Sequence, residues 1–85
     1  MVDDFVLTAH ARVVITERQI QIEWVKRVFS HPEKVEIDSE DQALRHALGR
    51  IEEYGGRILR VIYNDTTVPK PIVTVYFDRT QRSKL

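Results

Sequence analysis

At 85 residues, the chain has the length of one domain over positions 1–85, and its hydrophobic fraction of 42 % is typical of a globular protein. It contains no cysteine, which excludes disulfides and thiolate metal sites, and its 13 basic residues are balanced by 13 acidic ones. This neutrality counts against a free-standing nucleic-acid binder but is compatible with a local basic patch. No apolar run approaches the roughly 20 residues that span a bilayer, and the acidic start lacks the features of a secretion signal. We therefore expect a cytoplasmic protein.

Two short helices are predicted in the first part of the chain. The apolar run Phe5–Leu7 is expected to be a strand stub or a plug for the core, and Thr8 is a good N-cap for a helix over Ala9–Arg18. A second helix is predicted over Ile22–Ser30, where apolar residues recur on one stripe, and it has to end before Pro32. Two such helices joined by a tight link are expected to form an antiparallel hairpin.

Two strands are predicted from different patterns. Lys34–Asp38 alternates polar and apolar residues, which predicts a strand with Val35 and Ile37 facing the core. Arg57–Asn64 is apolar on both faces except at Arg60, and a strand of this kind belongs in the middle of a sheet.

The segment before the central strand is ambiguous. Its apolar spacing fits a helix over Asp41–Tyr54. However, Gly49 weakens a helix interior, and Gly55-Gly56 is a hairpin signal with a strand on each side. We predict a strand over His46–Glu53, with the helix as the alternative.

The last strand is predicted over Ile72–Phe77, after a loop with two prolines. One of its faces is expected to lie under the helices and the other to face solvent or a ligand. The helix-facing set is Val73, Val75 and Phe77, and the opposite set is Thr74, Tyr76 and Asp78. The remainder, 78–85, is predicted to be a polar, frayed tail.

Three fragments follow one another along the chain. They are Leu7-Thr8-x-His10-Ala11, then Glu17-Arg18-x-Ile20-x-x-Glu23-Trp24-Val25 ending at Pro32, and last Gly56-Arg57-x-Leu59-Arg60-Val61 with Val73-Thr74-x-x-Phe77-Asp78-Arg79. This order resembles a family of small bacterial proteins that belongs with the RelE- and BrnT-like toxins. The resemblance implies an α+β fold, in which an N-terminal helix hairpin packs on a four-stranded antiparallel RelE-like sheet. It also implies kinship with the messenger-RNA ribonucleases of toxin–antitoxin pairs, and it favours the strand in the ambiguous segment.

The chain departs from this family pattern at the corner between the helices. Gln19 stands where the family usually has glycine, and Gln21 where it often has a capping serine or threonine. Because glycine suits a left-handed helix end, we expect a less sharply defined corner.

Ribonucleases of this kind cleave RNA without a metal, by attack of a 2′-hydroxyl on the neighbouring phosphorus. The reaction needs a base, cations that stabilise the added negative charge, and an acid for the leaving oxygen. The catalytic candidates are His10, Arg60 and Tyr76, and the substrate-binding candidates are Arg18, Arg57 and Thr74. Three of them have a structural alternative. His10 can hold the start of its helix, and Arg18 can form a salt bridge or close the helix hairpin. Arg60 can form a cross-strand ion pair with Glu52 or Glu53.

Two functional hypotheses follow. The first is a toxin-like, metal-independent ribonuclease, or an inactive relative, that is held by an antitoxin covering the open sheet face. The second is a non-catalytic interaction module that binds a partner, or a second copy of itself, through that face. Neither requires a cofactor, and His10, His31 and His46 lack the spacing of metal ligands.

Overall fold

The structure, a computed structural model, describes residues 5–81. It has two helices and five strands: β1 Phe5–Leu7, α1 Ala9–Arg18, α2 Ile22–Ser30, β2 Lys34–Ile37, β3 Leu44–Ile51, β4 Arg57–Asn64 and β5 Lys70–Phe77. Single 3₁₀ turns cover Glu52–Tyr54 and Arg79–Gln81. The acidic start and the end of the predicted tail, residues 1–4 and 82–85, lie outside the described residues.

Both predicted helices are confirmed with the expected bounds. Thr8 Oγ1 accepts a hydrogen bond from the Ala11 amide at 3.1 Å and caps α1. The helix ends without glycine, because Gln19 itself adopts the left-handed conformation with φ of 56°. The Ile20 amide then donates to the Ile15 carbonyl at 3.0 Å, as in a Schellman motif. The corner is therefore well defined, although Gln21 provides no side-chain cap for α2.

The sheet has five strands in the order β1-β5-β4-β3-β2, so β4 is central as predicted. The prediction of a four-stranded antiparallel sheet is wrong, because β1 pairs in parallel with β5 while the other pairings are antiparallel. Thr8 holds this edge in place by donating from Oγ1 to the Ile72 carbonyl at 2.9 Å. Three residues are too few to show an alternation in the sequence, so the sequence does not distinguish this strand from a plug for the core.

The ambiguous segment is a strand, β3, that lies two residues earlier than predicted. It runs into a 3₁₀ turn, and the hairpin closes through Gly55 and Gly56 with φ of 71° and 70°. Gly49 is needed for packing: a Cβ at this position would lie 3.0 Å from Cγ2 of Val28 on α2. The helix pair thus approaches the sheet closely at β3, which is why a glycine interrupts this apolar run.

The core lies between the helices and one face of the sheet, where α1 packs on β5 and α2 on β3 and β4. Its buried members are Ala11, Ile20, Val25, Val28, Ala47, Ile51, Leu59, Val61, Ile72 and Val75. The prediction that Val35 and Ile37 are buried is wrong, since they are 48 % and 62 % exposed. Val35 shares a face with Ala47, its register partner, but β2 lies at the edge of the sheet, beyond the strands on which the helices pack.

A register shift alters the predicted face of β5. Ile62 pairs with Thr74 and Tyr63 with Ile72, so Val73 lies at a bulge. Ile72 is buried in the core together with Val75, and Val73 is only half-buried. The prediction holds for Val75 and Phe77 and fails for Val73, because a bulge changes the alternation of side chains.

The opposite face of the sheet is only partly open. Leu48 and Ile58 lie there and are fully buried, and Arg60 is 7 % exposed. Tyr76, opposite Arg60 in the register, is 40 % exposed. Asp78, predicted to begin a frayed tail, instead binds Arg60 and precedes the 3₁₀ turn that contacts β4.

Candidate functional site

Two adjoining cavities lie at the end of the sheet where β4 begins and β5 ends. Their volumes are about 360 and 200 Å³, and both are lined by Arg57, Phe77 and Arg79. The larger one is completed by Ile58 and Asp78. The smaller one is completed by Arg18, Ile20, Tyr54 and Tyr76. We call the two together the arginine groove.

Three different elements bring the arginines to this groove. Arg18 is the last residue of α1, Arg57 opens β4 directly after the Gly55-Gly56 turn, and Arg79 begins a 3₁₀ turn. All three are exposed. Within residues 5–81, neither Arg18 nor Arg79 makes an ion pair, so their charges are not neutralised there. The groove therefore concentrates positive charge on a chain whose formal net charge is zero.

Aromatic rings form one wall of the groove. The Arg57 guanidinium lies over the Tyr54 ring at 4.6 Å from its centroid, which is cation–π geometry. Tyr54 in turn packs against Phe77 at 5.0 Å and against Trp24 at 5.3 Å between centroids. Tyr54 and Tyr76 remain 42 % and 40 % exposed. The rings hold Arg57 in position and leave two phenol groups accessible to a ligand.

A polar network, which we call the Arg60 network, lies on the sheet face next to the groove. Arg60 Nε donates to Asp78 Oδ2 at 2.9 Å, and Nη2 forms an ion pair with the same oxygen at 2.7 Å. Its Nη1 donates to Glu36 Oε1 at 3.2 Å and to His46 Nδ1 at 2.7 Å. Arg60 is thus enclosed by acceptors from β2, β3 and the end of β5, and its charge is neutralised by two carboxylates.

The same contacts define the state of His46. Since a guanidinium can only donate, His46 Nδ1 accepts the bond from Arg60, and Nε2–H donates to Asp38 Oδ1 at 2.7 Å. The imidazole is then neutral, and both of its nitrogens are engaged. His46 is therefore a link within the network and has no nitrogen free for proton transfer.

Burial and hydrogen bonding compete in setting the pKa values of the network. For Asp78, burial raises the pKa, but bonds from Thr80 and Arg60 outweigh it and the net shift is downward. The pKa of Glu36 is lowered by its bond from Lys34 and, against burial, by Arg60. Burial lowers the pKa of Arg60, yet the bonds to Asp78 and Glu36 leave it above the ordinary value. The carboxylates therefore stay ionised and the arginine stays charged.

Of the six site residues predicted from the sequence, the structure brings three into the arginine groove: Arg18, Arg57 and Tyr76. Arg60 lies beside the groove in its network. Thr74 pairs with Ile62 on the same sheet face and is half-buried away from the groove lining. His10 is exposed in the first turn of α1, on the helix side, so the sheet separates it from Arg60.

Two groove residues were missed in the sequence. Tyr54 directly precedes the hairpin glycines, and its position beside Arg57 follows from the turn that they make. Arg79 falls in the segment predicted to be a frayed tail, although it comes only two residues after the last strand. The signal for both was their position two or three residues beyond the end of a strand, where side chains of neighbouring strands meet.

Comparison with known proteins places most of these elements in one family. A family described as "Domain of unknown function (DUF4258)" matches residues 7–77, from the end of β1 through β5. The chain belongs to this family. The DUF4258 match includes Arg18, Tyr54, Arg57 and Tyr76 of the groove and ends before Arg79. No curated protein and no solved structure matches the chain.

Two further features of the DUF4258 chain concern its described part. Within residues 5–81, no three His, Asp or Glu side chains are grouped so that they could hold a metal ion. Neither of the helices described is long and apolar enough to cross a membrane.

Proposed function

We propose that the chain binds single-stranded RNA in the arginine groove, as a toxin-like, metal-independent ribonuclease or an inactive relative of one. The observation that carries the proposal is the convergence of Arg18, Arg57 and Arg79 with two exposed tyrosines at one end of the sheet. Arginine binds phosphate through paired donors, and aromatic rings stack on unpaired bases. Cations and rings side by side are the combination that single-stranded nucleic acids require.

The direct test is binding of a fluorescein-labelled single-stranded RNA, followed by anisotropy over a series of salt concentrations. Each groove arginine replaced by alanine should weaken binding about tenfold, the order expected for one charge-assisted hydrogen bond. It should also reduce the slope of log affinity against log salt by about 0.7 per lost phosphate contact. The matched control is Arg12→Ala, an exposed arginine on α1 that does not line the groove. Equal losses in the control and the groove variants would overturn the proposal.

Cleavage is a separate question from binding. In the proposed reaction the 2′-hydroxyl loses its proton to a base and attacks phosphorus, while the 5′-oxygen leaves and takes up a proton, giving a 2′,3′-cyclic phosphate. Tyr76 lines the groove and is our candidate for donating that proton. We expect cyclic-phosphate product in the presence of EDTA, and much less of it from Tyr76→Phe. RNA binding without any product would identify the inactive relative.

Growth arrest on expression in a bacterium tests the toxin part of the proposal. His10 and Arg60 are catalytic candidates because of their side-chain chemistry, but the sheet separates them. Arrest that persists in a His10→Ala, Arg60→Ala double variant would remove both from the mechanism. Co-expression of an antitoxin that covers the groove should relieve the arrest, and alanine at Arg18 or Arg57 should do so as well.

One observation favours the non-catalytic alternative. The only histidine in the Arg60 network has both nitrogens engaged, and His10 and His31 do not line the groove. A base for the 2′-hydroxyl is therefore not present among the imidazoles of the groove. The cleavage and binding assays together separate the two functions, because a pure interaction module yields no cyclic phosphate at any pH and, unlike an inactive relative, does not bind RNA in the groove.

A further inference from the structure

We propose that β2 pairs with β2 of a second copy of the chain, so that two five-stranded sheets form one continuous sheet across a twofold axis. The surface involved is the free edge of β2, Lys34–Ile37. This proposal is independent of the arginine groove. It rests on three features of the edge: its outward hydrogen-bonding groups, its exposed apolar side chains and its charge pattern.

The free backbone groups follow from the pairing with β3. The Asp38 amide donates to the Leu44 carbonyl at 3.1 Å, so Asp38 is bonded towards β3. Because bonding direction alternates along an antiparallel strand, Glu36 and Lys34 also bond towards β3. The amides and carbonyls of Val35 and Ile37 then point away from the sheet. An exposed row of this kind is a template for another strand.

The side chains of this edge are apolar on the helix side. Val35 and Ile37 are 48 % and 62 % exposed, because the helices pack on β3, β4 and β5. A twofold axis perpendicular to the sheet keeps both helix layers on one side. The four side chains from the two copies would then lie together in the channel between those layers. Burial of this strip is what drives the association.

Charge selects the register of the strand pair. With Val35 opposite Val35 of the second copy, Lys34 stands opposite the second copy's Glu36 in a non-hydrogen-bonded pair, where side chains are closest. Lys34 Nζ already lies 3.1 Å from Glu36 Oε2 within the chain, so the four groups form one alternating cluster. A shift that centres the pair on Glu36 places two carboxylates face to face. A shift to Ile37 sets Glu36 against the second copy's Asp38, again two acids.

The first test is the molecular mass in solution by sedimentation equilibrium over a wide range of protein concentration. We expect a monomer–dimer equilibrium that Val35→Asp weakens about tenfold or more, since it places like charges at the axis and removes apolar area. The control is Val68→Asp, because Val68 is 79 % exposed in the β4–β5 loop. Ile37→Pro provides a second variant, which removes an outward amide together with part of the exposed apolar surface. A chain that stays monomeric at every concentration, or a dimer that both edge variants leave unchanged, overturns the proposal.

A cysteine experiment tests the register directly, since the chain contains no cysteine of its own. In the proposed pair, the two copies' Cα atoms at position 35 lie about 5.5 Å apart, within the range of a disulfide. The Cα atoms of the two copies' Ile37 are offset by four residues, which is about 13 Å along the strands. Val35→Cys should therefore give an oxidised dimer and Ile37→Cys should not. The reverse result would overturn the proposed register.

Discussion

Replacement of Arg60 by methionine should destabilise the protein strongly. Arg60 is 7 % exposed and, among residues 5–81, is the only donor that joins Asp78, Glu36 and His46. Methionine retains most of the aliphatic volume but leaves the Asp78 carboxylate, whose side chain is 11 % exposed, without its cation. Removal of one partner from a buried ion pair typically costs about 3–5 kcal/mol. We expect a loss of about 3 kcal/mol, because Asp78 keeps its bonds from Thr80.

The assay is urea unfolding at neutral pH, followed by circular dichroism. In thermal unfolding of a chain of this size, the same loss of stability lowers Tm by roughly 12–24 °C. Arg12→Met is the control, since an exposed arginine on α1 should change stability by no more than about 0.5 kcal/mol. A double-mutant cycle with Asp78→Asn should give a coupling energy of about 1 kcal/mol or more. A loss below about 1 kcal/mol for Arg60→Met would refute the view that this network holds β2, β3, β4 and the end of β5 together.

Three further outcomes are expected. The free energy of unfolding, measured in urea, should fall as pH drops from about 4.5 towards 2. The Arg27 hydrogen bond lowers the pKa of Glu53 from 4.5 to about 2, and the pKa of Asp78 is also depressed. The stabilisation from each carboxylate is therefore lost when it is protonated in the folded state. Glu53→Gln should remove part of that decline. Gln19→Gly should raise the free energy of unfolding by up to about 1 kcal/mol, because glycine adopts the left-handed conformation without strain. Gly49→Ala should lower it by about 1–3 kcal/mol, measured in the same way, since its Cβ would press on Val28 at 3.0 Å.

The helices and the central strand were predictable because local rules decide them. Thr8 and Pro32 mark one end each of the two helices, and a strand that is apolar on both faces belongs in the middle of a sheet. The burial of β2 was not predictable in this way. Alternation assigns Val35 and Ile37 to a face, but whether a helix covers that face depends on how far the helix layer extends across the sheet.

The site was predictable only where residues lie next to a recognisable turn. Arg57 follows the hairpin glycines and Arg18 ends a helix, so both could be selected from the sequence as site candidates. That they lie next to Arg79 depends on how the chain folds back after β5. The ion pair of Arg60 was expected with Glu52 or Glu53. Those residues fall in the 3₁₀ turn beyond β3, so the acceptors come instead from β2 and from the residue after β5. Identifying them requires the register of four strands, which one sequence does not contain.

The two proposed surfaces share no residue, although Glu36 of the edge and Asp78 of the groove both bind Arg60. The groove is built on β4 and β5, and the pairing edge is β2, with β3 between them, so β2 lies about 10 Å from β4 across the sheet. The twofold axis at Val35 reverses the strand direction in the second copy, so the two grooves face opposite ends of the joined sheet. In the proposed dimer, each groove is then expected to bind RNA on its own. Val35→Asp should weaken pairing about tenfold or more with RNA affinity intact, and Arg57→Ala should weaken RNA binding with the dimer intact. A variant that disturbs both properties would show that the two surfaces are coupled.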